Sequence, residues 1–353
     1  MESGTTELTR LPGLEVPEVP VPQASGERGR WIERGPSGKL MLFSGRSNPE
    51  LSERIAELLN ISLGEVELET FANGETYCRY CESIRGADVF LIQSCHGLHS
   101  NDHLMELMIM IQAAKLASAN RITAVMPWYP YSRQDKKSAP REPITAKLVA
   151  DMLLAAGVDR ILTMDLHAGQ IQGFFNIPVD ELTAMQPLLR DYVIGMEMID
   201  PVVVAGDLGF AKRARNFADM IGASVAFVEK RRLGNNSRSE SLGVIGDVYG
   251  KSAIIIDDEI DTAGSIVGAA EIVHKAGARV VYAACTHALL TGSAVERLRR
   301  APIEEIIVTD TVHQPPEKRL PNITVLSVSL LLGEAISRIH TGESVGALFG
   351  APV

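Results

Sequence analysis

From residue 39 onward, short apolar runs alternate with segments whose apolar residues recur at helical spacing. That alternation predicts parallel βαβ units and an α/β fold. Residues 87–93 (Ala-Asp-Val-Phe-Leu-Ile-Gln) predict a buried strand. Asn101 and Asp102 predict the caps of a helix running to about Ser118, with Leu104, Leu107, Met108 and Ile111 on its core face. Further strands are predicted at 121–126, stopped by Pro127, and at 160–164, ending in Asp165-Leu166-His167. In the second half, 201–205 leads through Gly206-Asp207-Leu208-Gly209 into a helix, and 224–228, 253–256 and 279–283 read as strands. No internal repeat is visible.

Before residue 39 the pattern is different. The first 38 residues hold five of the 18 prolines, interspersed with Gly, Glu and Ser. Each proline removes a backbone donor and restricts its predecessor, so 1–38 is predicted to be a disordered Pro-rich tail. The remaining length suits two domains, 39–182 and 183–353, and 46% hydrophobic content is enough for sizeable cores.

A net charge of −10 argues against a polyanionic partner, so no nucleic acid is expected. No apolar run approaches the ~18 residues of a membrane span, and the N-terminus lacks a signal-peptide pattern. No membrane association and a cytoplasmic location are the expectations. Four cysteines fit a reducing compartment, and Cys95, His96, His99 and His103 do not have standard zinc spacing.

In open parallel sheets the chemistry lies beyond the carboxyl ends of the strands. The most informative such place runs from Ile254 to Ser265. There a buried strand meets Asp257, Asp258 and Glu259, and Asp261-Thr262-Ala263-Gly264-Ser265 then turns into a helix beginning near Ile266. Backbone N–H groups and two hydroxyls make an anion cradle, while Asp257 and Asp258 can accept from sugar hydroxyls. An acidic helix-capping segment is the plainer alternative. Residues 246–252 superficially suggest a P-loop, but three residues separate the glycines and the segment precedes a strand.

The 254–265 segment resembles the phosphoribosyl-diphosphate loop of type I phosphoribosyltransferases and ribose-phosphate diphosphokinases. Phe71-Ala-Asn73-Gly-Glu75, the stretch 101–110, Tyr129 to Lys137, Asp165 to Phe175 and Glu229 to Arg232 resemble the ribose-phosphate diphosphokinase (phosphoribosyl diphosphate synthetase) family, in order, over about residues 39 to 349. The resemblance implies two type I phosphoribosyltransferase-like domains, each a mostly parallel sheet flanked by helices, with ATP contacts in 39–182 and the ribose 5-phosphate loop in 183–353. It implies transfer of the diphosphoryl group of ATP to the anomeric hydroxyl of ribose 5-phosphate, releasing AMP. A non-catalytic regulatory or scaffold subunit and a phosphoribosyltransferase are the alternatives.

By residue, the resemblance implies that Asp261, Thr262, Ala263, Gly264 and Ser265 hold the 5-phosphate, and that Asp257 and Asp258 orient the ribose. Arg133 and Gln134 would engage ATP. Phe71, Asn73 and Glu75 would form its adenine side from a neighbouring subunit. The partner is then a second copy of the chain, in a dimer-built homo-oligomer with a hexamer as the expected count. His167 and Asp207 would serve Mg²⁺. Lys230 and Arg232, read as following a strand at the start of a loop over 233–241, would neutralise transition-state charge together with His167. Phe210 stands where the family has a glycine, a bulk that would restrict backbone approach to phosphate. Ser83, Arg85, Gln172 and Ser344 match regulatory contacts of the family, whereas Gly169 and Gly346 depart from them.

Overall fold

The computed structural model describes residues 38–206, 208–232 and 239–349. The predicted tail, Asp207 and the loop residues 233–238 lie outside the described residues.

The first half builds a five-stranded sheet. Its elements are β1 (Leu40–Ser44), α1 (Pro49–Leu58), a two-stranded hairpin of β2 (Val66–Thr70) and β3 (Thr76–Tyr80), β4 (Asp88–Ile92), α2 (Ser100–Leu116), β5 (Arg121–Met126), α3 (Thr145–Ala156), β6 (Arg160–Met164) and β7 (Val179–Leu182). The sheet is parallel throughout, in the order β1-β4-β5-β6-β7. Its strands are apolar on both faces, and alternation divides them. Met41, Phe43, Val89 and Leu91 pack under α2 and α3, while Leu40, Leu42, Phe90 and Ile92 pack under the opposite helices.

The second half continues with α4 (Arg190–Gly195), β8 (Pro201–Ala205), α5 (Ala211–Ile221), β9 (Ser224–Arg232), β10 (Ser239–Ile245), β11 (Ser252–Ile260), α6 (Gly264–Lys275), β12 (Val280–Ala288), α7 (Ala294–Arg300), β13 (Ile306–Thr309), β14 (Ile323–Leu326) and α8 (Ser329–Thr341). The sheet order is β10-β9-β8-β11-β12-β13-β14, parallel except for the β9–β10 hairpin. Val202, Val204 and Ile255 pack towards α6, and Val203, Ala205, Ile254 and Ile256 towards α4 and α5. The parallel βαβ units are as the sequence pattern predicted, and two mostly parallel sheets flanked by helices are as the resemblance implied.

Three strand ends run longer than predicted. β9 extends through Arg232, so Lys230 and Arg232 lie within a strand, in register with Ser241 and Ser239, instead of after it. β11 continues through its acids to Ile260, and β12 continues to Ala288. Pairing with a neighbouring strand overrides the polarity that suggested an end. α2 begins at Ser100, with His99 at its N-cap. Asn101 and Asp102 are thus inside its first turn, where Asp102 pairs with His99 at 3.0 Å. α6 starts at Gly264, two residues before the expected position.

The last helix crosses back. Leu332, Ala335, Ile336 and Ile339 of α8 complete the face of the first sheet that α1 also covers. At its end, the fully buried His340 Nδ1 lies 2.7 Å from Asp88 Oδ2, and Arg121 bonds the same carboxylate and the Ile339 carbonyl. Phe210 turns its ring into the core of the second sheet, with the Arg213 guanidinium 5.4 Å above it. Among the described residues no helix is long and apolar enough to cross a membrane.

Candidate active site

The two sheets meet at the carboxyl ends of their central strands. β6 ends at Met164, and Asp165 follows with a φ of +39° that turns the chain sharply. Its Oδ2 accepts from the Ala184 N–H at 2.9 Å and, across the seam, from the Thr286 hydroxyl at 2.6 Å. His287, next along β12, lies with Nε2 3.1 Å from the Met164 carbonyl and Nδ1 3.0 Å from the Thr311 hydroxyl. Burial lowers the His287 pKa, so the ring is a neutral bridge between the sheets. These bonds fix how the strand ends face one another.

Two residues beyond Asp165, His167 approaches β11. Its Nδ1 is 2.7 Å from Asp258 Oδ2. The bond to Asp258 raises the His167 pKa against the effect of partial burial. Burial alone would raise the Asp258 pKa, but the hydrogen bond and charge of His167 outweigh it and hold the carboxyl down at about 2. Arg133, in the turn after β5, reaches the same place, with Nη2 2.7 Å from Asp261 Oδ2 and Nε 2.9 Å from Glu259 Oε1. Thr291 also donates to Asp261. The two hydrogen bonds overcome burial and lower the Asp261 pKa.

Beyond Asp261 the chain forms the cradle. Ala263 is the N-cap of α6, at φ +61°, and no side chain caps the helix there. The first N–H groups of a 12-residue helix therefore face the cleft without a side-chain acceptor, as an anion site requires. An added Cβ on Gly264 would stand 3.3 Å from Arg297 Nη1, which itself donates to the Thr262 carbonyl at 3.0 Å. The resulting cleft, about 180 Å³, is lined by Arg133, His167 and residues 257–266.

The structure thus brings together Arg133, His167, Asp257, Asp258, Asp261, Thr262, Ala263, Gly264 and Ser265. Gln134 is adjacent but does not line the cleft, and its Oε1 accepts from Thr145 at the start of α3. Phe71, Asn73 and Glu75 sit on the exposed tip of the β2–β3 hairpin and do not line it either. Asp207 and the side chains of Lys230 and Arg232 lie outside the described part of the structure. Sequence reasoning assigned nothing to Glu259, Trp128 or His287. Glu259 was visible in the acid run, whereas the other two are recognisable only once distant strands are paired.

Of the two residues expected to serve Mg²⁺, the structure describes His167 at the cleft, while Asp207 lies outside the described residues. Asp258 engages His167 Nδ1, which would leave Nε2 to meet a metal ion, as in the carboxylate–histidine pairs common behind metal ligands. Magnesium needs only one or two protein donors when substrate oxygens and waters supply the rest.

A parallel strand-end cleft with an open helix N-terminus, several acids and a facing guanidinium is the kind of α/β site that suits a phosphorylated, hydroxyl-bearing ligand. Known proteins narrow this class. Residues 40–157 match the N-terminal domain of ribose phosphate pyrophosphokinase, and residues 235–350 match the phosphoribosyl synthetase-associated domain. Ribose-phosphate pyrophosphokinase of Caldanaerobacter subterraneus subsp. tengcongensis is 51% identical over 315 residues, covering 89% of this chain and 98% of the relative. That of Clostridium perfringens is 49% identical, covering 89% and 98%. The crystal structure of phosphoribosylpyrophosphate synthetase from Mycobacterium smegmatis superposes with a TM-score of 0.80 at 45% identity, over 85% of this chain and 98% of that one. The chain belongs to the ribose-phosphate pyrophosphokinase family.

Proposed function

We propose that the chain transfers the diphosphoryl group of ATP to the anomeric hydroxyl of ribose 5-phosphate, giving 5-phosphoribosyl 1-diphosphate and AMP. The observation that carries this reading is the joining of Arg133 and His167 from one sheet to the Asp257–Ser265 loop of the other around one cleft. Asp261 to Ser265 receive the 5-phosphate on the open N-terminus of α6, and Asp257 and Asp258 accept from the ribose hydroxyls. Arg133 and Gln134 bind the nucleotide phosphates, so residues 39–182 form the nucleotide side and 183–353 the sugar-phosphate side. Phosphoryl transfer of this kind demands alignment and charge neutralisation more than covalent help. His167 and Asp207 are the residues that would hold Mg²⁺, which supplies positive charge against the phosphate oxygens. Lys230 and Arg232 stabilise the charge that develops as AMP departs.

Phe71, Asn73 and Glu75 complete the adenine side of a neighbouring copy, which their exposure on a hairpin tip outside their own chain's cleft supports. The working unit is then a dimer-built homo-oligomer, a hexamer in full, acting in the cytoplasm with neither nucleic acid nor membrane as a partner. AMP release from ATP, Mg²⁺ and ribose 5-phosphate tests the reaction: the substrates give AMP, and binding of both without AMP would indicate a non-catalytic subunit instead. Full activity at monomer mass in light scattering would sink the assembly.

A further inference from the structure

Glu259 takes no part in the reading above, yet it lies in β11 between Asp258 and Asp261, which do. Its side chain is only 7% exposed. Burial raises its pKa, and the neighbouring Arg133 guanidinium opposes that shift. Oε2 accepts from the indole N–H of Trp128 at 3.4 Å, and Trp128 is itself anchored against Leu289 and Val312 of the second half. Oε1 stands 2.9 Å from Arg133 Nε but off the N–H direction, so this buried oxygen has an ionic neighbour without an aligned donor.

The guanidinium shows the complementary half of the arrangement. Nε and Nη2 face the two acids, Glu259 and Asp261, whereas Nη1 makes no hydrogen bond among the described residues. A planar fork held along one edge offers its other edge for a second paired contact, and phosphate oxygens match that spacing. The Arg133 side chain is 52% exposed, so without a hold from behind it would sample several rotamers.

We propose that Glu259 is a positioning residue: from the second sheet it holds the Arg133 guanidinium with its free edge towards the nucleotide phosphates. Through Asp261, shared between Arg133 and the sugar-phosphate loop, the same contact couples occupancy of the two substrate positions. A small turn of the guanidinium onto the nucleotide brings Nε–H into line with Oε1, the tightening expected when a site fills. The role rests on the diphosphokinase reading.

Nucleotide affinity by calorimetry, together with KM and kcat from AMP release, tests it in wild type, Glu259→Gln, Arg133→Ala and the double variant. Glu259→Gln raises Kd and KM for ATP about tenfold, the loss of one charged partner, while kcat changes less than about threefold. Glu259→Asp, which keeps the charge, recovers part of the affinity. The double variant binds ATP no worse than Arg133→Ala, because Glu259 acts through Arg133. Prior ribose 5-phosphate strengthens ATP binding less in Glu259→Gln than in wild type. Wild-type ATP affinity in a folded Glu259→Gln protein, or effects of the two single changes that multiply, overturns the proposal. If Glu259→Gln does not fold, Trp128→Phe removes the N–H behind the carboxylate. It is expected to weaken ATP binding about two- to threefold, and unchanged affinity overturns the proposal there. Wild-type protein that releases no AMP would defeat the diphosphokinase reading instead, while the comparison of nucleotide affinities would still decide the role of Glu259.

Discussion

The first sheet brings a guanidinium and an imidazole to the seam, Arg133 after β5 and His167 after β6, whereas the second brings acids and open backbone N–H groups at the end of β11. Their ways of ending a strand differ as well. β6 stops abruptly at a left-handed aspartate consumed in structure, since Asp165 holds Ala184 and Thr286 and leaves His167 to face the cleft. β11 keeps its pairing through Asp257, Glu259 and Ile260, so its acids are held by a sheet and not by a loop. A buried strand-end carboxylate is thus no signature of chemistry by itself. What separates Asp165 from Asp258 is the partner, a hydroxyl and an amide in one case and a cleft imidazole in the other.

The contrast can be broken at several points. Asp88→Ala, in the first sheet, strands Arg121 and His340 without their shared carboxylate and is expected to cost about 3–5 kcal/mol in denaturant titration. A loss under about 1 kcal/mol would mean that the buried pair adds little. On the second sheet, Lys230→Ala is expected to slow AMP release by about 10²–10³, roughly 3–4 kcal/mol of barrier, with the melting temperature unchanged. A wild-type rate would remove Lys230 from the proposed chemistry. At the seam itself, Thr286→Val takes one donor from Asp165 and costs about 1–2 kcal/mol of stability, read from the same titrations. An unchanged midpoint would show that Ala184 alone suffices.

A further test concerns pH. Burial lowers the His96 pKa from 6.5 to about 4, so the unfolded chain binds a proton that the folded one refuses. Stability should therefore fall as pH drops from about 6.5 towards 4, and His96→Gln should flatten that limb of the melting curve by on the order of a few °C. Parallel curves for the two proteins would contradict the assignment.

Strands 121–126, 160–164 and 201–205 were legible residue by residue, because short, largely apolar runs rich in β-branched residues, one of them stopped by Pro127, favour buried strands. The turn from Asp261 to Ser265 into a helix was legible too, since an acid run followed by Thr-Ala-Gly-Ser makes no sense as core. Lys230, Arg232 and the β11 acids were read as lying beyond their strands because charge suggests solvent, and pairing across the sheet overruled it. The seam was not legible. Asp165 and Thr286, or Trp128 and Glu259, are over a hundred residues apart, and no local pattern announces such a meeting.

The return of α8 to the first sheet also orders the making of the protein. While the chain emerges from a ribosome, β1, β4, β5 and β6 can pair early, but the face carrying Leu42, Phe90 and Leu162 stays incompletely covered until the last helix arrives. The half synthesised first is thus the half finished last, and a stop codon before residue 329 would expose apolar surface at the opposite end of the sequence.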